Sequence, residues 1–567
     1  MTLGAMCPNP FEVWYFGGSY TVQALANVLT VCFAGPVALC SILFLSAGTL
    51  LARFERELSH HKDDKTTDWD NYIDRIINSN DDLEREHLFY GASERGDNPV
   101  LVHRDIYDEH NHILGDSGAS KTALGLAPQA TQLIARGDST VVIIDLKGDR
   151  ALFEGCRREA ERHGNMRFRW LSNEIGTTSF GFNPFTQSHN EYLAIEQLTQ
   201  ELLQGLSLDY GIQYGAGYFT AMNEIVLNSV LGAAGDRSFG ELSEHLSDRD
   251  WYEQIGYKED WKQARHLTAL VKRLSASPAI NVTPGMYSDR PEIHDDAIDA
   301  ASLFREPQVV YLWLKSAIEP TNAPAIARLF LWTVFTAASH QPASRNRVYF
   351  FIDEMQQVLS EGIRLIFEHF RDMGGTMIGA HQTAGQLRRH GADLGDTVAA
   401  CSAVKQVFRA SDLDSLERLT KLSGTQRVME PTWHQPFELG SGDLAERYVE
   451  EYAEDGLVRV GQQKRERYDR EALQALSARR LSSLVRFSFD SGYTQFAGKS
   501  IAISSPYHIH FDEYLARRRQ PWPTAPGAFR IEQPASLQAV AATSDGAEDL
   551  DDHDDFGSEF EMRGRNQ

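Results

Sequence analysis

The 567-residue sequence is short of several things. It has five cysteines, Cys7, Cys32, Cys40, Cys156 and Cys401, and no two stand in a C-x-x-C pair. A zinc ribbon and a disulfide framework are both excluded on that spacing, and the thiols read as unpaired in a reducing compartment. It has no excess of positive charge: the formal net charge is −24, which argues against a freestanding protein that coats nucleic acid. It has no internal repeat, so a solenoid is excluded. It also has no charged residue between Val13 and Ala52, and no Lys or Arg before that stretch.

That gap in charge is informative. The apolar run from about Val28 to Leu51 is long enough to cross a bilayer, which takes about 20 residues. It is too long for a signal-peptide core, and Gly48–Ala52 makes a poor cleavage region. Gly35-Pro36 divides the stretch, so either one span over 28–51 or a hairpin using 14–34 as its first limb fits the pattern. Arg53, Arg56, Lys62 and Lys65 follow the run, and by the positive-inside rule everything after about residue 53 is cytoplasmic.

With 42% hydrophobic residues, the chain carries two or three domains rather than one core. Apolar runs at 141–144, 309–314, 348–352, 376–380 and 403–408 predict buried parallel strands, with helical patterns at 323–338 and 362–373 between the later ones. This is an α/β, doubly wound pattern. Between about 185 and 301 no comparable strand is found, and helices are predicted at 191–206, 217–232, 239–246 and 261–275. The boundaries predicted are 1–60 for the anchor, 84–186 with 301–519 for a nucleotide-binding domain, 187–300 for an inserted all-α domain, and 520–567 for a disordered acidic tail. In the tail, nine carboxylates lie between Asp545 and Glu561. It reads either as a solubilising segment or as a docking segment for an adaptor or effector, with Phe556 and Phe560 as anchors.

Residues 113–124 read I-L-G-D-S-G-A-S-K-T-A-L. Gly115, Lys121 and Thr122 fit the phosphate-loop pattern, with Asp116, Ser117, Gly118 and Ala119 between them and Ser120 in place of the last glycine. Backbone N–H groups of such a loop cradle phosphates at a helix N-terminus, Lys121 reaches the β/γ-phosphates, and the Thr122 hydroxyl ligates Mg²⁺. ATP and Mg²⁺ are therefore the cofactors expected. Ser120 puts a Cβ where close approach is wanted. Val348–Ile352 ends in Asp353 and Glu354. Asp353 is placed to hold Mg²⁺ beside Thr122, and Glu354 to deprotonate the attacking water.

The ordered set of motifs resembles the coupling proteins of type IV secretion systems, among the DNA-pumping P-loop ATPases. It comprises Leu114–Pro128, Val141–Asp149 (VVIIDLKGD), Phe182–Phe185 (FNPF), Tyr349–Gln357 (YFFIDEMQQ), Arg371–Gly375 and Gly379–Thr383. The resemblance implies a RecA-like P-loop domain with an inserted all-α domain behind an N-terminal transmembrane helix, at the bacterial inner membrane. It implies that Arg371 is an arginine finger given to a neighbouring subunit, and that Gln382 senses the γ-phosphate. It implies a hexameric ring, partnership with the secretion channel, and DNA or a relaxase–DNA complex as substrate. Lys258, Lys262, Arg265 and Lys272 fall on one helical face and read either as a phosphate-contact stripe or as a solvated face. Two functions stand open: a translocating ATPase, and a nucleotide-gated docking platform with slow turnover.

Overall fold

The computed structural model describes residues 69–523 except 94–97, 163–165, 175, 211–214, 257–259, 264, 284–292, 295, 343–345, 361, 390–391, 434–457, 478–480, 489–497 and 506–510. The chain divides into two units, 1–72 and 73–567, and everything below concerns the second. The expected span 28–51 and the acidic part of the tail lie outside the described residues, among which no helix is long and apolar enough to cross a membrane.

The second unit is built on one eleven-stranded sheet. Its strands are β1 (His87–Ser93), β2 (Pro99–His103), β3 (Asn111–Leu114), β4 (Thr140–Asp145), β5 (Arg167–Ser172), β6 (Gln308–Trp313), β7 (Val348–Ile352), β8 (Gly375–His381), β9 (Val404–Val407), β10 (Ser482–Phe487) and β11 (Ser500–Ser504). The order across the sheet is β2-β1-β11-β10-β9-β3-β8-β7-β4-β6-β5. The seven strands from β9 to β5 are parallel, and β10, β11, β1 and β2 extend the sheet antiparallel. Strands covered on both faces need apolar side chains in both directions, and β4, β6 and β7 are buried at every position. All five strands expected from apolar runs are present.

Two parallel strands carry too few apolar residues to be read that way. β3 is only four residues, Asn-His-Ile-Leu. β5 begins Arg-Phe-Arg-Trp, and Arg169 is accommodated in the core because its guanidinium donates to the Ala297 carbonyl at 2.7 Å and to Gln308.

Between β5 and β6 the chain leaves the sheet through a parallel pair of two-residue strands, Ser179–Phe180 and Ile293–His294. Asn183 closes this neck. Its amide donates to the Arg237 and Val282 carbonyls at 2.8 and 3.2 Å, and its oxygen accepts from the Phe185 N–H at 3.0 Å. The intervening chain is helical: Ile195–Gly205, Ala216–Ala234, Phe239–Ser247, Arg249–Gln254, Asp260–Gln263 and Arg265–Ser275. Helix Ile195–Gly205 lies against helix Asn322–Ser339, where Thr333 donates to buried Glu201 at 2.6 Å. Where one helix is expected over 261–275, the described residues 260–263 and 265–275 are helical.

The start expected for the tail, residue 520, is too early. Trp522 stacks on Phe153 with ring centroids 4.9 Å apart and donates its indole N–H to the Thr178 carbonyl at 2.9 Å. Arg150 lies over the Trp522 ring and donates to the Pro521 carbonyl at 2.6 Å. Residues 520–523 therefore belong to the packed body, held by aromatic contacts that the Pro-rich composition hid.

Candidate functional site

The loop between β3 and helix Ala127–Arg136 lies at the C-terminal edge of the central strands. The Gly115 N–H donates to the His381 carbonyl at 3.2 Å, and the Asp116 N–H to the Arg409 carbonyl at 2.7 Å. Position 115 accepts only glycine, because a Cβ there would sit 2.8 Å from Cβ of Phe408. Gly118 has φ of 72° and Ser120 φ of 60°, both left-handed. For a non-glycine residue that conformation costs about 1 kcal/mol. Residues Lys121–Leu126 then form one π-helical segment, a rare geometry found mainly at functional sites, before the α-helix begins.

Lys121 is buried, and its ammonium donates to the Gly115 and Asp116 carbonyls at 2.7 and 2.8 Å. Burial and the neighbouring Lys147 pull its pKa below the ordinary lysine value. The Thr122 hydroxyl donates to Oδ2 of Asp353 at 2.9 Å across 231 residues of sequence. Asp353 and Glu354 end β7, as expected, and Glu354 turns the chain in the left-handed region with φ of 59°. Gln382, one residue past β8, donates to both Glu354 carboxylate oxygens at 3.2 and 3.3 Å, and Gln356 donates to one of them. Residues 115–122, Asp353, Glu354 and Gln382 thus converge on one place.

Two residues join them whose roles motif reading left blank. Lys147 follows β4, which lies beside β7. Its ammonium is 2.5 Å from Glu354 and 3.3 Å from Asp353. Burial opposes its charge, but the two carboxylates outweigh it and the Lys147 pKa rises. Burial likewise opposes ionisation of Glu354, and the hydrogen bonds from Lys147, Gln356 and Gln382 outweigh it, holding the carboxyl below its ordinary value. Arg409, after β9, donates to the Ser117 carbonyl at 2.9 Å and crosses the loop from the other side. Neither lies in a sequence pattern that states its role, although Lys147 stands inside the VVIIDLKGD run.

Asp145, in the same run, is structural. Its buried carboxylate accepts from the N–H groups of Lys147, Gly148 and Asp149 at 2.9, 2.8 and 2.6 Å and from the Tyr311 hydroxyl at 2.8 Å. It forms the turn that presents Lys147.

Arg371 is elsewhere. It precedes β8, whereas Gln382 follows it, so seven strand residues, about 20 Å, separate them. Its half-exposed guanidinium pairs with Glu109 and with Asp372 at 3.2 Å. Within one chain Arg371 does not reach the phosphate loop. Lys258 lies outside the described residues. Lys262, Arg265 and Lys272 are exposed, within helical residues 260–263 and 265–275, and Arg265 packs over the Trp261 ring at 5.5 Å.

Comparison with known proteins agrees with this geometry. The family model for the DNA-binding domain of type IV secretion-system coupling proteins matches residues 304–453. Among solved structures, the bacterial conjugative coupling protein TrwBΔN70, in an unbound form, superposes with a TM-score of 0.53 at 15% identity, covering 80% of this chain and 94% of that one. TrwB in complex with ADP and Mg²⁺ gives 0.52 at 16% identity, covering 76% and 91%. TrwB with the non-hydrolysable GTP analogue GDPNP gives 0.52 at 15% identity, covering 77% and 92%. No curated relative matches the sequence. The chain resembles type IV secretion coupling proteins and has their α/β fold with a large mixed sheet.

Proposed function

We propose that this chain is the coupling ATPase of a type IV secretion system. It binds ATP at the loop 115–122 and spends hydrolysis on feeding DNA or a nucleoprotein into the secretion channel. The single observation that carries the reading is the convergence of Thr122, Asp353, Glu354, Gln382 and Lys147 on the phosphate loop, from four separate places in the sequence. The order β9-β3-β8-β7-β4, with the loop after β3 and the Asp-Glu pair after β7, supports reading this as a RecA-like nucleotide domain.

The residues fit magnesium. Thr122 and Asp353 offer two oxygens 2.9 Å apart, and the two carboxylates already attract a cation, the Lys147 ammonium. Bound there by Thr122 and Asp353, the ion supplies charge neutralisation to the β/γ-phosphates. Lys121 exchanges its two loop carbonyls for phosphate oxygens. Glu354 takes the proton from the attacking water once Lys147 moves off it. Gln382 holds the Glu354 carboxylate in line and couples its position to β8.

Arg371 completes the site of a neighbouring subunit, a role that its place at the opposite end of β8 from Gln382 supports. In a ring of such subunits, taken as a hexamer, each nucleotide lies between two chains. The run 28–51 anchors the ring in the inner membrane, with the bulk cytoplasmic. The acidic tail serves as a contact for an adaptor or effector. Lys262, Arg265 and Lys272, with Lys258, offer weak nonspecific contact to phosphate backbone.

A second reading, a nucleotide-gated docking platform with slow turnover, is favoured by one observation: Ser120 keeps a side chain in the left-handed position of the loop. ATP turnover by the full chain, with and without single-stranded DNA, separates the two. The translocase reading predicts turnover that rises with DNA and falls at least 100-fold in Glu354→Gln, a loss of the size expected for a general base. Tight ATP binding with slow turnover indifferent to DNA supports the platform instead.

A further inference from the structure

A second cavity, of about 100 Å³, opens on the sheet face opposite the helix that follows the phosphate loop. The pleat fixes which face this is. Gln406 points toward that helix and hydrogen-bonds Gln129, so Lys405 and Val407 point away from it.

The floor consists of two rows running across the strands. One is basic: Arg486 of β10 pairs in register with Lys405 of β9, and Lys405 with His112 of β3. The next is apolar: Leu484, Val407 and Leu114 occupy the same strands two residues on. Leu419, Leu422 and Arg418 of helix Leu413–Ser423 roof the apolar row.

Among the described residues, none lining the cavity is acidic. Among the described residues Lys405, Arg418 and Arg486 form no ion pair, and Nε of Arg486 is buried without a hydrogen-bond partner. Lys405 and Arg486 face each other directly on antiparallel strands, where like charges destabilise a sheet. Burial and Arg486 together push the Lys405 pKa down. Uncompensated cation pairs against an apolar wall are an arrangement that a bound anion completes.

Size limits the anion. A cavity of about 150 Å³ takes benzene, so this one takes a body of a few carbons and excludes a nucleotide or a nucleic-acid strand. We propose that it is a binding site for a small amphipathic monoanion, a carboxylate on a short apolar body. The carboxylate meets Lys405 and Arg486, and the body lies against Leu114, Val407, Leu419 and Leu484. The site is separate from the phosphate loop, although His381 in its wall directly precedes Gln382.

Thermal unfolding of the full chain in detergent tests this with three probes: butyrate, butylamine and inorganic phosphate. The proposal predicts a saturable rise in Tm with butyrate and none with butylamine. It also predicts that Lys405→Met with Arg486→Met raises the ligand-free Tm, by removing opposed charges, and abolishes the butyrate response. If that double variant does not fold, Arg486→Gln serves, with the same prediction. Retained binding of a fluorescent ATP analogue by the variant shows that the phosphate loop is intact. Three results would overturn the proposal: no response to butyrate; equal stabilisation by phosphate through the same two residues; or a variant with lower ligand-free Tm that still responds to butyrate.

Discussion

Ser120 is the residue at which the loop departs most from a glycine-rich phosphate loop, and on the proposed reading it sets the rate of turnover. The loop needs a left-handed residue immediately before Lys121, and serine supplies it at a cost of about 1 kcal/mol where glycine would supply it freely. Ser120→Gly is therefore expected to raise stability by up to about 1 kcal/mol and to raise turnover. Paired thermal-melt and steady-state measurements check both.

His110 sets part of the acid limit. Its Nδ1 accepts from the Met377 N–H at 3.0 Å, and its Nε2–H donates to the Phe367 carbonyl at 3.0 Å, so only the neutral ring satisfies both. Burial brings its pKa down to about 4 from 6.5. The unfolded chain then binds the proton first, so the stability His110 contributes is present above about pH 6.5 and is lost as pH falls toward 4. A His110→Asn variant, which keeps the left-handed backbone accessible, is expected to show a shallower loss of Tm between pH 6.5 and 4.

The residues proposed to bind phosphate and magnesium were legible because that chemistry demands fixed types at fixed spacing. Lys147 and Arg409 were not, because their partners come from β7 and from the loop itself, and only the folded sheet brings them close.

At the scale of elements, legibility followed apolar content. β4, β6 and β7 announced themselves because both faces are buried. β3, the strand that delivers the phosphate loop, did not: its polar residues are satisfied by contacts from other elements, among them the Tyr90 hydroxyl donating to Asn111 at 3.4 Å. The inserted helices were legible by period.

The last packed element, residues 520–523, acts as a strap. Trp522 sits among Phe153, Trp170 and Trp313. Trp522→Ala is expected to cost about 2 kcal/mol, less than the loss of a fully buried large aromatic because the ring is only partly buried. Chemical denaturation with an unchanged slope would confirm a loss of packing alone. A loss under about 0.5 kcal/mol would mean that the strap is peripheral, like an ordinary surface substitution.

At the scale of the whole molecule, the proposed function makes the site of one chain incomplete. The phosphate loop lies at one edge of the central strands and Arg371 at the other, about 20 Å away along β8. A net charge of −24 makes tight, sequence-independent attachment to DNA unsuitable, and makes any contact in a central channel weak and salt-sensitive. Both facts fit an assembly that holds its substrate by enclosure and shares each nucleotide between neighbours.

Subunit mixing tests that claim most directly. Lys121→Ala and Arg371→Ala chains are each expected to be inactive alone, since each lacks one half of every shared site. Combined in equal amounts, they regain a fraction of wild-type ATP turnover, because some interfaces then join an intact loop to an intact arginine. If the mixture stays as inactive as its parts, or if Arg371→Ala alone turns over ATP at the wild-type rate, the shared-site account is wrong.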